Sequence, residues 1–166
     1  MLQLAKKHPF ARKLVNSGRL SIPAFYATSS LNTPAEDPFE GFMEPGAPMD
    51  DAPVVVSSSP GWLLDQVGNK FQLMVYVDDP DQVDTLSLQA LRDGPVAIHP
   101  LIVSPKTGIV LGGPVVQDVK GLIAKRYDAR NGTTFLLRPD QHIAARWRDL
   151  NISKIQAALT RATGNI

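Results

Sequence analysis

Residues 71–77, Phe-Gln-Leu-Met-Val-Tyr-Val, and residues 96–103, Val-Ala-Ile-His-Pro-Leu-Ile-Val, are long apolar stretches in a sequence of 166 residues. A near-continuous apolar run of this length is typical of a strand that is buried on both faces. Residues 82–93, which lie between the two runs, carry apolar side chains at helical spacing. A helix that connects two strands makes them parallel, with a right-handed crossover. The pattern therefore predicts a β-α-β unit.

The rest of the chain extends this unit with a second helix, a strand hairpin and a last helix. Gly61 and Gly68 bound a short helix or turn before the first strand, and Pro100 indicates an edge or a bulge within the second. In chain order the predicted elements are strand 71–77, helix 82–93, strand 96–103, loop 104–114, helix 118–127, strand 133–137, strand 142–148 and a helix from Asn151 or Ser153 to Thr163. This β-α-β-α-β-β-α order predicts an α/β fold of the thioredoxin-like type.

The first 60 residues have a different character. Eight of the 14 prolines precede residue 61, and proline restricts both helices and central strands. Residues 1–19 carry five bases and no acid, and we interpret them as a broken helix that ends at Gly18. We predict that residues 20–60 form an extended arm, so that the chain divides into 1–60 and 61–166. Phe25, Phe39 and Phe42 are too apolar for a solvated linker, so we expect the arm to contact its own domain, another domain or another chain.

Composition excludes several classes of function. The chain has 17 Lys and Arg against 16 Asp and Glu, a net charge of +1, so no overall field attracts nucleic acid or an anionic membrane. There is no cysteine, which excludes disulfides and all thiol chemistry. No apolar run approaches the ~20 residues of a membrane helix, and no apolar segment follows the basic N-terminus as in a signal peptide. We therefore expect a cytoplasmic protein.

Few residues are candidates for catalysis. His99 lies in an apolar strand and His142 follows the turn at 138–141, where Asp140 could orient it as a base. No nucleophile is implied beside either histidine. We favour structural interpretations, a half-buried His99 paired with backbone and a His142 that belongs to the hairpin. An independent enzyme that uses one of them is the third of three hypotheses for this chain.

The residues that could form a metal site or a nucleic-acid site also have simpler structural interpretations. His8, His99 and His142 are scattered, without the spacing of metal ligands. The acidic cluster 78–84 lacks the features of a calcium loop, and we predict a solvated turn with a helix cap. Arg146 and Arg148 alternate with Trp147 along the last strand, which places the arginines on one face and the tryptophan on the other. We expect this face to be solvated, or paired with acids of the arm or of a partner.

Trp62 is either part of the core or part of an exposed interface.

Several segments resemble the C-terminal region of FAD-dependent aromatic-ring monooxygenases, of the phenol hydroxylase and hydroxyphenylpropionate hydroxylase group. Their order and spacing over most of the chain carry the resemblance. The segments are Leu-Val-Asn-Ser-Gly-Arg-Leu-Ser at 14–21, Leu-Asn-Thr-Pro at 31–34, Glu-Pro-Gly-Ala-Pro at 44–48 with Asp-Ala-Pro-Val at 51–54, Gly-Trp-Leu-Leu-Asp at 61–65 and Phe-Leu-Leu-Arg-Pro-Asp-Gln-His-Ile at 135–143. The resemblance implies a thioredoxin-like domain that follows the flavin- and substrate-binding parts and is associated with dimer contacts.

The departures from this family limit what the chain does alone. No G-x-G-x-x-G turn for a dinucleotide is present, and Gly112-Gly113 is the only glycine pair. The C-x-x-C site of thioredoxins is absent, and Gly132-Thr133 stands where they have a proline. We therefore expect no catalytic, cofactor-binding or metal-ligating residue in this chain, with FAD and NAD(P)H held only by a separate partner. The predicted role is assembly or oligomerisation, redox-inactive by itself. The alternative is a subunit or fragment that acts in trans with an FAD-binding monooxygenase body.

Overall fold

The structure, a computed structural model, describes residues 23–165, and the predicted helix at 1–19 lies outside these residues. Nine strands and three α-helices form within the described part, together with two short 3-10 turns at Leu64–Gln66 and Pro80–Gln82. In chain order they are β1 Pro53–Val56, β2 Ser59–Trp62, β3 Gln72–Tyr76, α1 Thr85–Arg92, β4 His99–Ser104, β5 Ile109–Val110, β6 Gly113–Pro114, β7 Val116–Gln117, α2 Leu122–Arg126, β8 Thr134–Leu137, β9 Ile143–Trp147 and α3 Ile152–Ala162.

Seven strands form one sheet in the order β2-β1-β7-β4-β3-β8-β9. Strands β3 and β4 are parallel, with Met74 opposite Leu101, and β8 and β9 continue the sheet as an antiparallel pair beside β3. The β4-β3-β8-β9 part, with α1 between β3 and β4 and α3 after β9, is the predicted β-α-β-α-β-β-α arrangement. The thioredoxin-like fold class is thus confirmed.

The sheet separates two apolar cores because β3 is buried along its whole length. Leu73 and Val75 point to the side of α1 and α3, where Leu88 and Ile155 are fully buried. Met74 and Tyr76 point to the opposite side and pack in the core that contains Tyr127. Alternation along a strand that is apolar at every position buries both faces. No helix among residues 23–165 is long and apolar enough to cross a membrane.

The hairpin of β1 and β2 is a correction to the sequence analysis. Residues 53–60 were assigned to the arm and 61–68 to a short helix or turn, whereas the boundary at residue 60 falls inside β2. Prolines obscured these strands, yet Pro53 starts β1 and Pro60 lies on the edge strand β2, where proline is tolerated. The turn uses Ser57 and Ser58 at φ 49° and 67°, without the glycine that usually signals such a hairpin.

The region after β4 is also more ordered than predicted. The predicted loop 104–114 contains the β5–β6 hairpin, and β7 follows it with two residues paired to β4 and β1. Strand β4 is internal, but β7 reaches only Val103 and Ser104. Pro100 therefore lies in a half of the strand that is open on one side, which agrees with the predicted edge near that point. His99 N–H donates to Phe71 O, so the alternating backbone turns Pro100 towards the open side.

The second helix is shorter than predicted, because it begins at Leu122 instead of Asp118. Asp118 is buried and lies upstream, where its N–H donates to Ser104 O and its carboxylate accepts from Ala124 N–H at 2.9 Å. Gly121 stands between them in a left-handed conformation (φ 62°). The carboxylate thus caps the helix from outside.

Candidate functional site

The arm covers the exposed side of β9, the last strand of the sheet. Gly46 N–H donates to Ile143 O at 2.7 Å, and Ile143 N–H donates to Ala47 O at 2.9 Å. Thr33 N–H donates to Ala144 O at 2.8 Å. An edge strand otherwise presents unpaired backbone groups to other chains. Of the three surfaces considered for the arm, its described residues contact the domain of the same chain.

Arg146 on β9 and Arg148, the residue after β9, both contact one aromatic ring of the arm. The guanidinium carbon of Arg148 lies 3.6 Å from the centre of the Phe39 ring, and that of Arg146 lies 4.5 Å from it. Trp147 is buried on the other face of the sheet, as the alternation predicted. Cation–π contacts of this kind each contribute about 0.5–2 kcal/mol. The arginine face therefore binds the arm.

Hydrogen bonds add to this contact. Arg148 backbone N–H donates to the Asp37 carboxylate at 3.0 Å, and its guanidinium donates to Pro38 O at 2.8 Å. Arg146 donates to Met43 O at 2.9 Å. The expected ion pair between this arginine face and an acid of the arm is not found among residues 23–165, because Asp37 accepts only from the Arg148 backbone. The Arg148 guanidinium also forms an ion pair with Asp128, on the loop after α2.

Asp128 links the arm to the domain a second time. Its carboxylate accepts from Glu40 N–H at 2.9 Å and from Arg148. The Glu40 hydrogen bond, followed by Arg148, lowers the pKa of Asp128 below its ordinary value. The carboxylate is thus held in its charged form by both elements.

His142 also contacts the arm. One ring nitrogen lies 2.9 Å from Ala24 O and the other lies 3.0 Å from Asp140 O, with the Asp140 carboxylate at 3.4 Å. The Tyr26 ring packs against the imidazole at 4.9 Å between centres. Both nitrogens face backbone acceptors, so the histidine fastens the arm to the hairpin turn. The arrangement agrees with the structural interpretation of His142.

A tight turn brings Gly46 against the beginning of the arm. Tyr26 N–H donates to Gly46 O at 2.9 Å, and the Asn32 amide donates to Tyr26 O at 2.7 Å. Gly46 has φ +94°, and a Cβ atom there would lie 2.4 Å from Tyr26 O. Only glycine permits this approach. The turn gives the arm a defined shape.

The outer side of the arm carries the candidate functional site, an apolar cleft of about 340 Å³. Phe42 is 86% exposed beside it and Phe25 is 49% exposed. Residues that line this arm cleft include Pro23, Phe25, Phe42, Met43, Pro48 and Met49. Single exposed apolar residues are ordinary, but a cleft that groups them is typical of a contact surface. The apolar character of the arm is visible in the sequence, but no sequence pattern indicates which of its side chains face outwards.

Trp62 lies at the opposite edge of the sheet, on β2, where it is 53% exposed. Leu63, the next residue, is fully buried. The sequence alternatives for Trp62 were core or exposed interface, and the structure places the ring at the surface.

The acidic cluster after β3 has the capping role that was predicted. The Asp79 carboxylate accepts from Asp81 N–H at 3.3 Å, and the Asp84 carboxylate accepts from Ser87 N–H at 3.1 Å. These hydrogen bonds cap the 3-10 turn and α1. Hydrogen bonding by the Ser87 side chain, followed by the Ser87 backbone N–H, lowers the pKa of Asp84. Within residues 23–165, no three His, Asp or Glu side chains converge as metal ligands.

Within residues 23–165, no strand is followed by the glycine turn and helix that hold a dinucleotide pyrophosphate in a Rossmann fold. A dinucleotide pyrophosphate needs a glycine turn between a strand and a helix, and the segment between β3 and α1 contains Asp78, Asp79 and Asp81 instead. These carboxylates repel a pyrophosphate. Gly112 and Gly113 belong to the β5–β6 hairpin and precede no helix.

Three solved structures are similar to this chain in fold. The flavin-dependent monooxygenase PieE, in complex with FAD and substrate, aligns with a TM-score of 0.64 and 20% identity over 89% of this chain and 26% of its own. Aklavinone-11 hydroxylase, in a ternary complex with FAD and aklavinone, aligns with a TM-score of 0.61 and 18% identity over 81% and 25%. Peroxidoxin BcpB from Mycobacterium tuberculosis aligns with a TM-score of 0.54 and 14% identity over 74% and 98%.

The fold is thioredoxin-like. No protein-family model matches the sequence, and no curated protein matches it. The chain spans about a quarter of the length of the two monooxygenase chains. Residues 61–166 make up less than two thirds of this chain, so an alignment over 89% of it includes part of the arm. Part of the arm therefore belongs to the fold that this chain shares with PieE.

Proposed function

We propose that this chain is an assembly domain, redox-inactive by itself, that binds another protein surface through the arm cleft. The observation that carries the proposal is the outward-facing apolar cleft beside Phe25 and Phe42, on an arm that is itself fixed to the domain. Aromatic side chains in clefts are the usual energetic centres of interfaces. Burial of one phenylalanine side chain contributes about 1.5–3 kcal/mol.

The first candidate partner is a second copy of the chain. The test is sedimentation of the full chain over a range of concentrations, for the wild type, Phe42→Asp and Leu86→Asp. Leu86 is the matched control, because it is 84% exposed but lies on α1. We expect the wild type to self-associate and Phe42→Asp alone to be monomeric. A wild type that is monomeric at every concentration, or equal effects of both substitutions, contradicts self-association through the arm.

The second candidate is action in trans with the FAD-binding body of a monooxygenase. It is supported by the resemblance of the sequence segments and by a fold that corresponds to about a quarter of two such chains. In this proposal FAD and NAD(P)H are held by the body, and this chain supplies surface and stability. The chain is added to a monooxygenase from which the corresponding region has been deleted, and thermal stability and NAD(P)H-dependent hydroxylation are measured. A gain with the wild type that Phe42→Asp abolishes is expected, and no gain contradicts the proposal.

A further inference from the structure

A second cleft, of about 410 Å³, lies on the other side of β4 from β3. It exists because β7 pairs with β4 only at Val103 and Ser104, so the first half of β4 has no neighbour there. The open half of β4, residues 99–102, forms one wall, and the tip of the β5–β6 hairpin forms the other. This β4 cleft is separate from the arm, since the arm covers β9 at the far end of the sheet.

The ionisable side chains that line the β4 cleft are all basic. Lys70, Arg92 and His99 line the β4 cleft, and no Asp or Glu is among the described residues that do so. Within residues 23–165, Lys70 and Arg92 form no ion pair. Asp93, the acid next to Arg92, accepts two hydrogen bonds from Gln89 at 2.9 and 3.0 Å instead. The cleft therefore concentrates positive charge without a counterion from the described chain.

Lys70 and Arg92 affect the protonation of His99. Burial, followed by the charges of Lys70 and Arg92, lowers the pKa of His99. The His99 ring has no hydrogen-bond partner among residues 23–165, so the expected pairing of this histidine with backbone is not found there. A bound anion would offset the repulsion among the positive charges of these side chains, and it would give the His99 ring a hydrogen-bond acceptor.

The opposite wall of the β4 cleft is the tip of the β5–β6 hairpin, which exposes backbone and is conformationally strained. Leu111 (φ +52°) and Gly112 (φ +74°) both adopt left-handed conformations at the hairpin tip. A left-handed leucine costs about 1–2 kcal/mol, and such strain is found where a segment is held for function. Gly112 and Gly113 carry no side chain to close the cleft, so an anion has access to the backbone between them.

We propose that the β4 cleft binds a small phosphorylated compound whose phosphoryl group lies between Lys70, Arg92 and His99. A phosphate monoester carries a charge near −1.5 to −2, which matches two cationic side chains and one titratable donor better than a monocarboxylate does. Arg92 can donate to two phosphate oxygens at once. The volume of the cleft leaves room for a small organic group beside the phosphoryl group.

The test is a ¹H–¹⁵N NMR titration of the full chain at an ionic strength of about 0.1 M, where the Debye length is about 10 Å, with glycerol 3-phosphate, inorganic phosphate, succinate and glycerol. Saturable shifts of the Leu111–Gly113 amides with glycerol 3-phosphate, and none with glycerol, are expected. The variant Lys70→Gln/Arg92→Gln should weaken this binding at least about tenfold. Inorganic phosphate distinguishes recognition of the phosphoryl group alone from recognition of the whole ester.

The matched control is Lys125→Gln/Arg161→Gln, which removes the same charge from exposed positions on α2 and α3. It should leave binding within about twofold, because screening limits the effect of distant surface charges. Equal weakening by both pairs, or the absence of saturable shifts, overturns the proposal. Tighter binding of succinate than of glycerol 3-phosphate overturns the assignment to phosphate. All four side chains are exposed, so unchanged spectra outside the cleft verify the fold.

Discussion

The guanidinium carbon of Arg148 lies 3.6 Å from the centre of the Phe39 ring, and this contact joins the arm to the last strand of the sheet. The two residues are separated by more than 100 positions in the sequence, so their contact closes most of the domain into one loop. Phe39 also meets the ring of Phe135 edge-on at 5.9 Å between centres. The arm is thus tied to the core under β8 as well as to the surface of β9.

Removal of this ring should release the arm. We expect Phe39→Ala to lower the free energy that holds the arm by about 2–3 kcal/mol, because cation–π contacts and partly buried area are lost together. The measurement is cleavage by endoproteinase Glu-C after Glu36 and Glu40, which should accelerate at least about tenfold. The matched control is Phe42→Ala on the same arm, where an 86% exposed ring should change stability by less than about 0.5 kcal/mol. Equal cleavage rates for the two variants would contradict this role of Phe39.

The tight turn of the arm predicts an unusual sensitivity at Gly46. A Cβ atom there would meet backbone at 2.4 Å, whereas at Gly164 (φ +75°) nothing lies within 4 Å. Gly164→Ala should cost about 1–2 kcal/mol, the strain of a left-handed alanine alone. Gly46→Ala should cost roughly 3 kcal/mol or more, or open the arm. Urea unfolding of both variants, with Glu-C cleavage as the second readout, compares them, and similar losses would show that Tyr26 does not approach Gly46 this closely.

Acid should weaken the arm through Asp128. The folded pKa of this carboxyl is lowered, chiefly by Glu40 N–H and then by Arg148. Its contribution is therefore present above the unfolded pKa of about 3.9 and is lost as the pH falls through the lower folded pKa. Asp128→Asn should be less stable than the wild type at pH 6, and the difference should shrink below pH about 3. Melting temperatures from pH 2.5 to 7 measure this, with exposed Asp65→Asn as control; a difference that is independent of pH refutes it.

Tyr127 should make the stability of the domain depend on pH in the alkaline range. Its hydroxyl donates to Asp50 O at 2.6 Å, and burial, followed by the charge of Asp50, raises its pKa well above the ordinary value. Stability is then constant below pH about 10 and falls as the pH rises above it, because only the unfolded chain ionises there. Tyr127→Phe should weaken this dependence, although Tyr76, whose pKa is also raised by burial, retains part of it. The substitution should cost about 1–3 kcal/mol at neutral pH, since Asp50 O loses its donor. The measurement is the free energy of unfolding in urea at pH 7 and 10.5 for the wild type and Tyr127→Phe, with Tyr26→Phe as the control variant.

The central part of the fold was predictable because its signals are local. Apolar runs at β3 and β4, helical spacing in α1 and the turn before β9 each depend on a few neighbouring residues. The alternation of Arg146, Trp147 and Arg148 also predicted which face each side chain occupies. The β1–β2 hairpin was missed because its strands contain Pro53 and Pro60 and because serines adopt the left-handed positions of its turn. Its pairing with β7 depends on residues more than 60 positions away.

The candidate sites were predictable only in part. The apolar residues of the arm indicated a contact, but the division into Phe39, which faces inwards, and Phe42, which faces outwards, arises from the docked path of the chain. The β4 cleft depends on the length of β7 and on the approach of Lys70 to Arg92 and His99. No sequence pattern joins these three residues, which come from different elements.

The closed edge at β9 also bears on how the domain can be combined with other proteins. A sheet that ends in its own arm offers no free strand on that side for accidental pairing with a neighbour. The opposite edge, β2, is four residues long and contains Pro60, which cannot donate a hydrogen bond. Both ends of the sheet therefore resist strand pairing with a neighbouring chain, which protects the domain from aggregation through its edges.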